Sequence, residues 1–158
     1  CANLNTTKHR RVFVHCTVNR RNLHDLEVLA RWVRAIPTLR GMTVQFFYPY
    51  RQGEEDLSLT PDERNEAIAK LLDLKKRGFP ILNSKARLAA MAHNRWRCHD
   101  DIQINVDPDG SITRGCYVKN RGRINCDACG FTPVAEASGA LDFHPGSLWA
   151  GWQLFLKR

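Results

Sequence analysis

The sequence predicts an α/β fold in which three strand-helix units precede a small cysteine-rich β-hairpin extension. Two patterns predict the units: short β-branched and aromatic runs alternate with longer stretches of helical periodicity, and the connections between them are short. Such connections favour a parallel sheet with right-handed crossovers, which is half of a barrel or half of a doubly wound sheet. A turn-rich texture with four cysteines begins after residue 94. We therefore divide the chain into domains 1–94 and 95–158.

The first unit comprises a strand over 11–19 and an amphipathic helix. The strand alternates between two faces: one is apolar and includes Cys16 as a small core residue, and the other is mostly polar. Asn22 is a suitable N-cap for the helix, whose apolar periodicity stops before Pro37. This pattern is typical of a strand whose apolar face is covered by the helix that follows it.

The second and third units repeat this order. A strand over 42–48 precedes a helix that begins with the capping box Thr60-Pro61-Asp62-Glu63 and ends in basic residues before Gly78. A short strand is predicted over 79–83. Ser84 then caps a helix that extends to about residue 93.

Four cysteines in the second domain form the strongest chemical pattern of the sequence: Cys98, Cys116, Cys126 and Cys129. A hairpin over 102–113, with its turn at Pro108-Asp109-Gly110, should bring the first two thiols together at its open end. The Cys-x-x-Cys loop can complete a tetrahedral thiolate set, which zinc and a [4Fe–4S] cluster both accept. Unbound buried thiols are the alternative. The tail is predicted to form a short helix packed on the core through Leu148, Trp149, Trp152 and Phe155.

Polar side chains on the predicted strands suggest a second site. If helices cover the apolar strand faces, the polar faces point into a lumen, near the strand ends where α/β barrels place their sites. The residues predicted to converge there are His15, Thr17, Asn19, Gln45 and Asn83. Such a polar lumen suits a bound ligand better than a packed core.

Composition limits the functional class. The chain has 158 residues, 43% of them apolar, and no apolar run approaches the ~18 residues of a membrane span, so no membrane partner is expected. Its net charge of +8 permits a phosphate-bearing partner, but Arg and Lys fall between apolar positions as on solvated helix faces, which argues against nucleic acid. The cysteine spacing favours metal over disulfides and therefore the cytoplasm. Because the chain starts at Cys1 without a preceding Met, we expect a processed chain or a fragment.

Several stretches resemble the C-terminal half of a radical S-adenosylmethionine (radical SAM) enzyme with an auxiliary-cluster extension. Residues 14–22 resemble the fifth strand of that family and its turn, and residues 41–49 resemble the sixth. Residues 74–84 add to the likeness, and 107–112 are similar to the hairpin of SPASM and twitch extensions. The resemblance implies the last three units of a partial (β/α)6 TIM-like barrel, which contributes lumen for S-adenosylmethionine and substrate, and one auxiliary [4Fe–4S] cluster on the four cysteines.

One departure from the family qualifies this expectation. The catalytic CxxxCxxC loop and the Gly-Gly-Glu motif do not occur, so the chain alone should not cleave S-adenosylmethionine. It would need the missing N-terminal half of the barrel, an unidentified substrate and a reductant such as ferredoxin or flavodoxin. Four cysteines on one cluster leave no open iron, which favours electron transfer or structural support. The alternatives are an Arg-rich module in which zinc stabilises a nucleic-acid-binding surface, and a purely structural metal site.

Overall fold

The computed structural model describes residues 12–49, 54–118 and 124–156, and Cys1 lies outside them. The chain is a mixed α/β protein, as predicted, and its described strands form two small sheets with no closed barrel. The first half consists of β1 (Val12–Val18), α1 (Leu26–Ala35), β2 (Leu39–Phe46), α2 (Pro61–Lys76) and α3 (Lys85–Ala90). The second half consists of β3 (Ile104–Val106), β4 (Ile112–Arg114), α4 (Thr132–Leu141) and α5 (Pro145–Gly151), which continues into a π-helical turn, Trp152–Leu156.

Strands β1 and β2 pair in parallel, with His15 opposite Thr43 and Thr17 opposite Gln45. Their apolar faces meet helices α1, α2 and α3 in one core, and Cys16 is partly buried against it, as its position in the strand predicts. The opposite face of the two strands carries the polar residues. The parallel pairing follows from the helical crossover between the strands.

The predicted third strand is reduced to a single parallel bridge, in which Ile81 pairs with Met42. The Met42 N–H donates to the Pro80 carbonyl and the Leu82 N–H donates to the Met42 carbonyl, both at 2.8 Å. Pro80 has no N–H of its own, which limits the ladder. The chain therefore takes the expected place beside β2 without forming a regular strand over 79–83.

Two of the three predicted helix caps are confirmed. Thr60 Oγ1 accepts the Glu63 N–H and Glu63 Oε2 accepts the Thr60 N–H, which is a complete capping box. Ser84 Oγ accepts the Arg87 N–H at the start of α3. The Asn22 cap is wrong: its side chain accepts the Asn19 N–H and makes no capping bond, and a 3₁₀ turn precedes α1.

The antiparallel hairpin is confirmed, with Ile104 opposite Arg114 and Val106 opposite Ile112. Helix α4, by contrast, was not predicted, because its run of Ala, Ser and Gly has little apolar periodicity. Small residues on α4 are buried, including Ser138 and Gly139, which lets neighbouring elements approach closely. This helix forms one wall of each of the two cavities described below.

The predicted contacts of the tail are wrong. A helix does form, but its large apolar side chains are exposed by 39% to 69%: Leu148, Trp149, Trp152 and Phe155. Its buried positions are Ser147 and Ala150 instead, because α5 packs closely against the small residues of α4. Among the described residues, no helix combines the length and apolarity that crossing a membrane requires.

Candidate metal centre

All four cysteines of the second domain line one cavity of about 270 Å³, which we call the cysteine cavity. Two come from the ends of the hairpin segment, Cys98 and Cys116, and two from the opposite loop, Cys126 and Cys129. The rest of the wall is largely aromatic and apolar, and includes Tyr117. The structure thus brings together residues that lie up to 31 positions apart, from 98 to 129.

Two of the thiols, those of Cys98 and Cys129, lie in an environment that opposes ionisation. Burial, together with the nearby Asp100 and the other three cysteines, raises the pKa of Cys98 to about 11. Burial also raises the pKa of Cys129, while an N–H bond from Phe131 to its sulfur acts in the opposite direction. Clustered thiols of this kind ionise when a cation binds and compensates the negative charge.

The four thiols line one cavity, and Cys116, Cys126 and Cys129 are near enough to Cys98 to affect its pKa. Among the described residues, no group of three His, Cys, Asp or Glu side chains is arranged to hold a metal ion. Thiolate sulfur is a ligand for both zinc and iron–sulfur clusters, so the donor type fits either group.

Arg64 on α2 anchors the Cys-x-x-Cys loop. Its guanidinium donates to the carbonyl oxygens of Ala128 at 3.2 Å and Cys129 at 2.5 Å, and to Asn94 Oδ1 at 3.1 Å. Asn94 in turn donates from Nδ2 to the Asp127 carbonyl at 2.6 Å. The loop is therefore anchored to α2 through its backbone carbonyls and not through the two thiols of the motif.

Strand β2 provides a second anchor. The Phe46 N–H donates to the Gly130 carbonyl at 2.9 Å, and the Asn125 N–H donates to the Tyr48 hydroxyl at the same distance. A Cβ atom on Gly130 would lie 2.1 Å from the Phe46 carbonyl oxygen, so only glycine permits this approach. The part of the chain that contains the first sheet and the cysteine-rich part are joined at the carboxyl end of β2.

The hairpin side of the cavity offers hydrogen-bond donors as well as thiols. The Cys116 N–H donates to Asp100 Oδ2 at 2.8 Å, and the Gly115 N–H donates to the Gln103 carbonyl at 3.0 Å, which fixes the loop before Cys116. Gln103 lines the cavity, and its buried Nε2 has no partner within the described part of the chain. An unpartnered amide donor beside four thiols fits a bound group that presents sulfur acceptors.

Three of the five predicted lumen residues share the open face of the first sheet. His15 Nδ1 lies 2.7 Å from Thr43 Oγ1, and Gln45 Nε2 donates to Thr17 Oγ1 at 3.0 Å. The paired strand positions keep these side chains on one surface. They form neighbouring pairs, and His15 and Thr43 also line a second cavity.

The other two lumen residues make hydrogen bonds that stabilise the backbone. Asn19 Oδ1 accepts the Arg21 N–H in the turn after β1. Asn83 is buried, and its amide bonds both the N–H and the carbonyl of Val44, at 2.8 and 3.1 Å. Asn83 therefore continues the hydrogen bonding that the short third strand lacks, although it also lines the second cavity.

Sequence reasoning missed Arg64 and Glu136, a half-buried carboxyl group on α4. Arg64 has the appearance of an ordinary solvated helix residue, because nothing in its local pattern shows the distant loop that it binds. Glu136 lies in a segment for which no element was predicted. An acidic residue in a run of Ala, Ser and Gly was the one signal available in the sequence.

Comparison with known proteins adds no family: no family model, curated protein or solved structure matches this chain. Its chemistry must be inferred from the cysteine cavity, the anchors of its loops and the polar face of the first sheet.

Proposed function

We propose that Cys98, Cys116, Cys126 and Cys129 bind one [4Fe–4S] cluster, and that the chain is the C-terminal part of a radical SAM enzyme in which this cluster is an auxiliary centre. The observation that carries the proposal is the single cavity lined by all four thiols. Thiolate is the usual ligand of such clusters. With every iron ligated by protein, the cluster would transfer electrons or stabilise the extension.

The cysteine pattern supports a cluster over zinc. A zinc ribbon more often pairs two Cys-x-x-Cys motifs, whereas this chain has one such motif and two separate cysteines that line the same cavity. The Gln103 amide and the Phe131 N–H are donors suited to sulfur, and such hydrogen bonds tune a cluster's reduction potential.

The first sheet supports the barrel half of the proposal. β1 and β2 are parallel, Ile81 extends the sheet by one bridge, and helices α1, α2 and α3 pack on the apolar face. The opposite face carries His15, Thr17 and Gln45, and a cavity lies between part of this face and the helices α4 and α5. A (β/α)6 lumen would hold S-adenosylmethionine or substrate at such a face. The chain would act with the N-terminal half of the barrel and an external reductant.

Anaerobic reconstitution with iron and sulfide tests the cluster. We expect about four iron and four sulfide per chain, a broad visible absorption band and an electron paramagnetic resonance signal after reduction. Cys116→Ala and Cys126→Ala should each lower the iron and sulfide content severely. Cys16→Ala is the matched control, because Cys16 lies on β1 away from the cavity and should leave both values unchanged.

Two results would contradict the cluster. A colourless protein with one zinc and no sulfide would assign the cysteines to a mononuclear site. Equal iron content in the Cys116→Ala and Cys16→Ala variants would show that the bound iron is adventitious. The assignment to radical SAM chemistry has its own test: the gene sequence upstream of Cys1 should encode a CxxxCxxC motif, and a complete upstream reading frame without it would refute that assignment.

A further inference from the structure

A second cavity, of about 510 Å³, lies between the open face of β1 and β2 and the helices α4 and α5. We call it the barrel-face cavity. Most of its wall is apolar, with Phe13, Leu82 and Leu154 among the contributors. Its polar lining consists of His15, Thr43, Asn83, Thr132, Glu136 and Ser147. An apolar enclosure with a few polar groups is the usual composition of a small-molecule site.

The carboxylate of Glu136 is only half satisfied. Oε1 accepts the Ser84 N–H at 2.6 Å, whereas Oε2 is buried and has no hydrogen-bond partner. No ion pair of Glu136 occurs among the described residues. Burial raises the pKa of this carboxyl, whereas interactions with Ser84 and Ser147 and the charge of Arg87 favour its ionised form. Oε2 is therefore an acceptor that a bound donor could still satisfy.

Ser147 supplies an independent observation beside Glu136. Its side chain is 1% exposed and lines the cavity, yet its Oγ has no hydrogen-bond partner of acceptable geometry. It lies close enough to Glu136 to lower the pKa of that carboxyl. Buried polar atoms in folded proteins are nearly always hydrogen bonded, so two adjacent exceptions in one cavity wall indicate a missing partner.

The surrounding packing holds these groups in place. A Cβ atom on Gly139 would lie 2.4 Å from Ser147 Oγ and 2.7 Å from Arg87 Nε, so Gly139 leaves the room that both side chains occupy. Arg87 Nε is also buried without a partner, but it is a donor and Arg87 does not line the cavity. Glu136 Oε2 and Ser147 Oγ are therefore the two unsatisfied acceptors that belong to the cavity wall.

We propose that the barrel-face cavity binds a small molecule with a protonated primary amine and an apolar body, the amine donating to Glu136 Oε2 and Ser147 Oγ. An ammonium group has three donors, which can satisfy both acceptors at once, and its charge compensates the buried carboxylate. An anionic group at this end would be repelled by Glu136. A neutral hydroxyl group would satisfy one acceptor without compensating the charge.

The proposed amine site in the barrel-face cavity does not depend on the presence of the cluster. The polar groups that define it lie on α4, on α5 and at the start of α3, apart from the four cysteines. The iron and sulfide assay and the ligand-binding assay are separate measurements, so failure of one proposal is distinguishable from failure of the other.

The test is an NMR titration of the complete chain, labelled at alanine methyl groups, with phenylethylamine, phenylethanol and phenylacetate. Ala137, Ala140 and Ala150 line the cavity and report occupancy directly. We expect saturable shifts of these methyl groups with the amine, and binding at least roughly tenfold weaker for the alcohol and the carboxylate, the range of a hydrogen bond to a charged group.

Two variants and one control make the test specific. Glu136→Gln should lower amine affinity by roughly 10- to 100-fold and remove the preference over the alcohol. Glu66→Gln, an exposed charge on α2, should leave the affinity unchanged. Ala140→Leu, which fills the cavity, should abolish binding of amine and alcohol alike and guards against a misfolded Glu136→Gln variant. No saturable amine binding to the unmodified chain, or equal amine affinity in a folded Glu136→Gln variant, would overturn the proposal.

Discussion

Replacing Arg64 should destabilise the Cys-x-x-Cys loop more than any exposed arginine would. Arg64→Met keeps much of the aliphatic volume but removes three hydrogen bonds: those to the carbonyls of Ala128 and Cys129 and to the Asn94 side chain. It also removes the guanidinium that lies 5.1 Å from the centre of the Phe46 ring. The perturbation therefore separates the loop from α2 and removes a contact between α2 and β2, while the hydrogen bond from Phe46 to Gly130 remains.

The magnitude follows from those contacts. Hydrogen bonds to a charged group contribute about 1.5–3 kcal/mol each, but neighbouring bonds are not additive and exposed carbonyls regain water. We expect a loss of about 2–4 kcal/mol in the free energy of unfolding. Arg20→Met is the matched control, because Arg20 makes an ion pair with Glu63 at 3.2 Å on an exposed surface, and such pairs contribute about 0–1 kcal/mol.

Urea denaturation followed by far-ultraviolet circular dichroism measures both variants. Arg64→Lys adds a second comparison: it preserves the charge but not the planar donor group, and most of the loss should remain. In the reconstituted protein, cluster loss to a chelator should be faster for Arg64→Met than for Arg20→Met. Equal unfolding free energies for the two Met variants would refute the anchoring role of Arg64.

Three further predictions concern the packing and the charges. Gly130→Ala should cost roughly 2 kcal/mol or more, because its Cβ meets the Phe46 carbonyl, whereas Gly151→Ala, with no atom within 4 Å, should be neutral or stabilising; equal urea midpoints would contradict this. Burial raises the pKa of Glu136, so the folded state binds more protons and its stability falls as pH rises above the unfolded pKa of about 4.3. The free energy of unfolding of Glu136→Gln should therefore rise relative to that of the wild type as the pH increases from 4 to 8. If the two free energies change with pH in the same way, this reasoning is wrong. Three basic side chains hold the pKa of Glu27 well below the usual range of a glutamate. At neutral pH, Glu27→Gln should therefore lower the thermal unfolding midpoint, and this difference from the wild type should vanish in acid and shrink in high salt. A difference that does not depend on salt would be inconsistent with charge pairing.

Local patterns in the sequence were sufficient for features whose cause is local. The Thr60–Glu63 capping box, the Ser84 cap and the Pro108-Asp109-Gly110 turn depend on residues within three positions of each other, and all three are present. The alternation of β1 also predicted which face meets the helices. These features depend on backbone hydrogen bonding and on side-chain period, both of which can be seen in the sequence.

Features that depend on distant contacts were not visible. Helix α4 and the exposed tail arise because small residues let α4 and α5 pack closely, a fit between surfaces that periodicity does not encode. Asn83 looked like a ligand-binding residue, yet its amide substitutes for strand hydrogen bonds to Val44.

The sequence by itself determined the four thiols at 98, 116, 126 and 129, the hairpin between the first two and the strand-helix order before them. Only the tertiary structure decided that these thiols line a cavity, that Arg64 and Gly130 fix the loop to α2 and β2, and that Glu136 lines a second cavity with one oxygen, Oε2, unsatisfied. The physical reason is the sequence separation of the interacting residues. The type of ligand and the type of turn are set by residues close together in the sequence. The position of the thiols around a cavity and the hydrogen bonding of a buried carboxylate depend on segments that approach each other only in the folded chain.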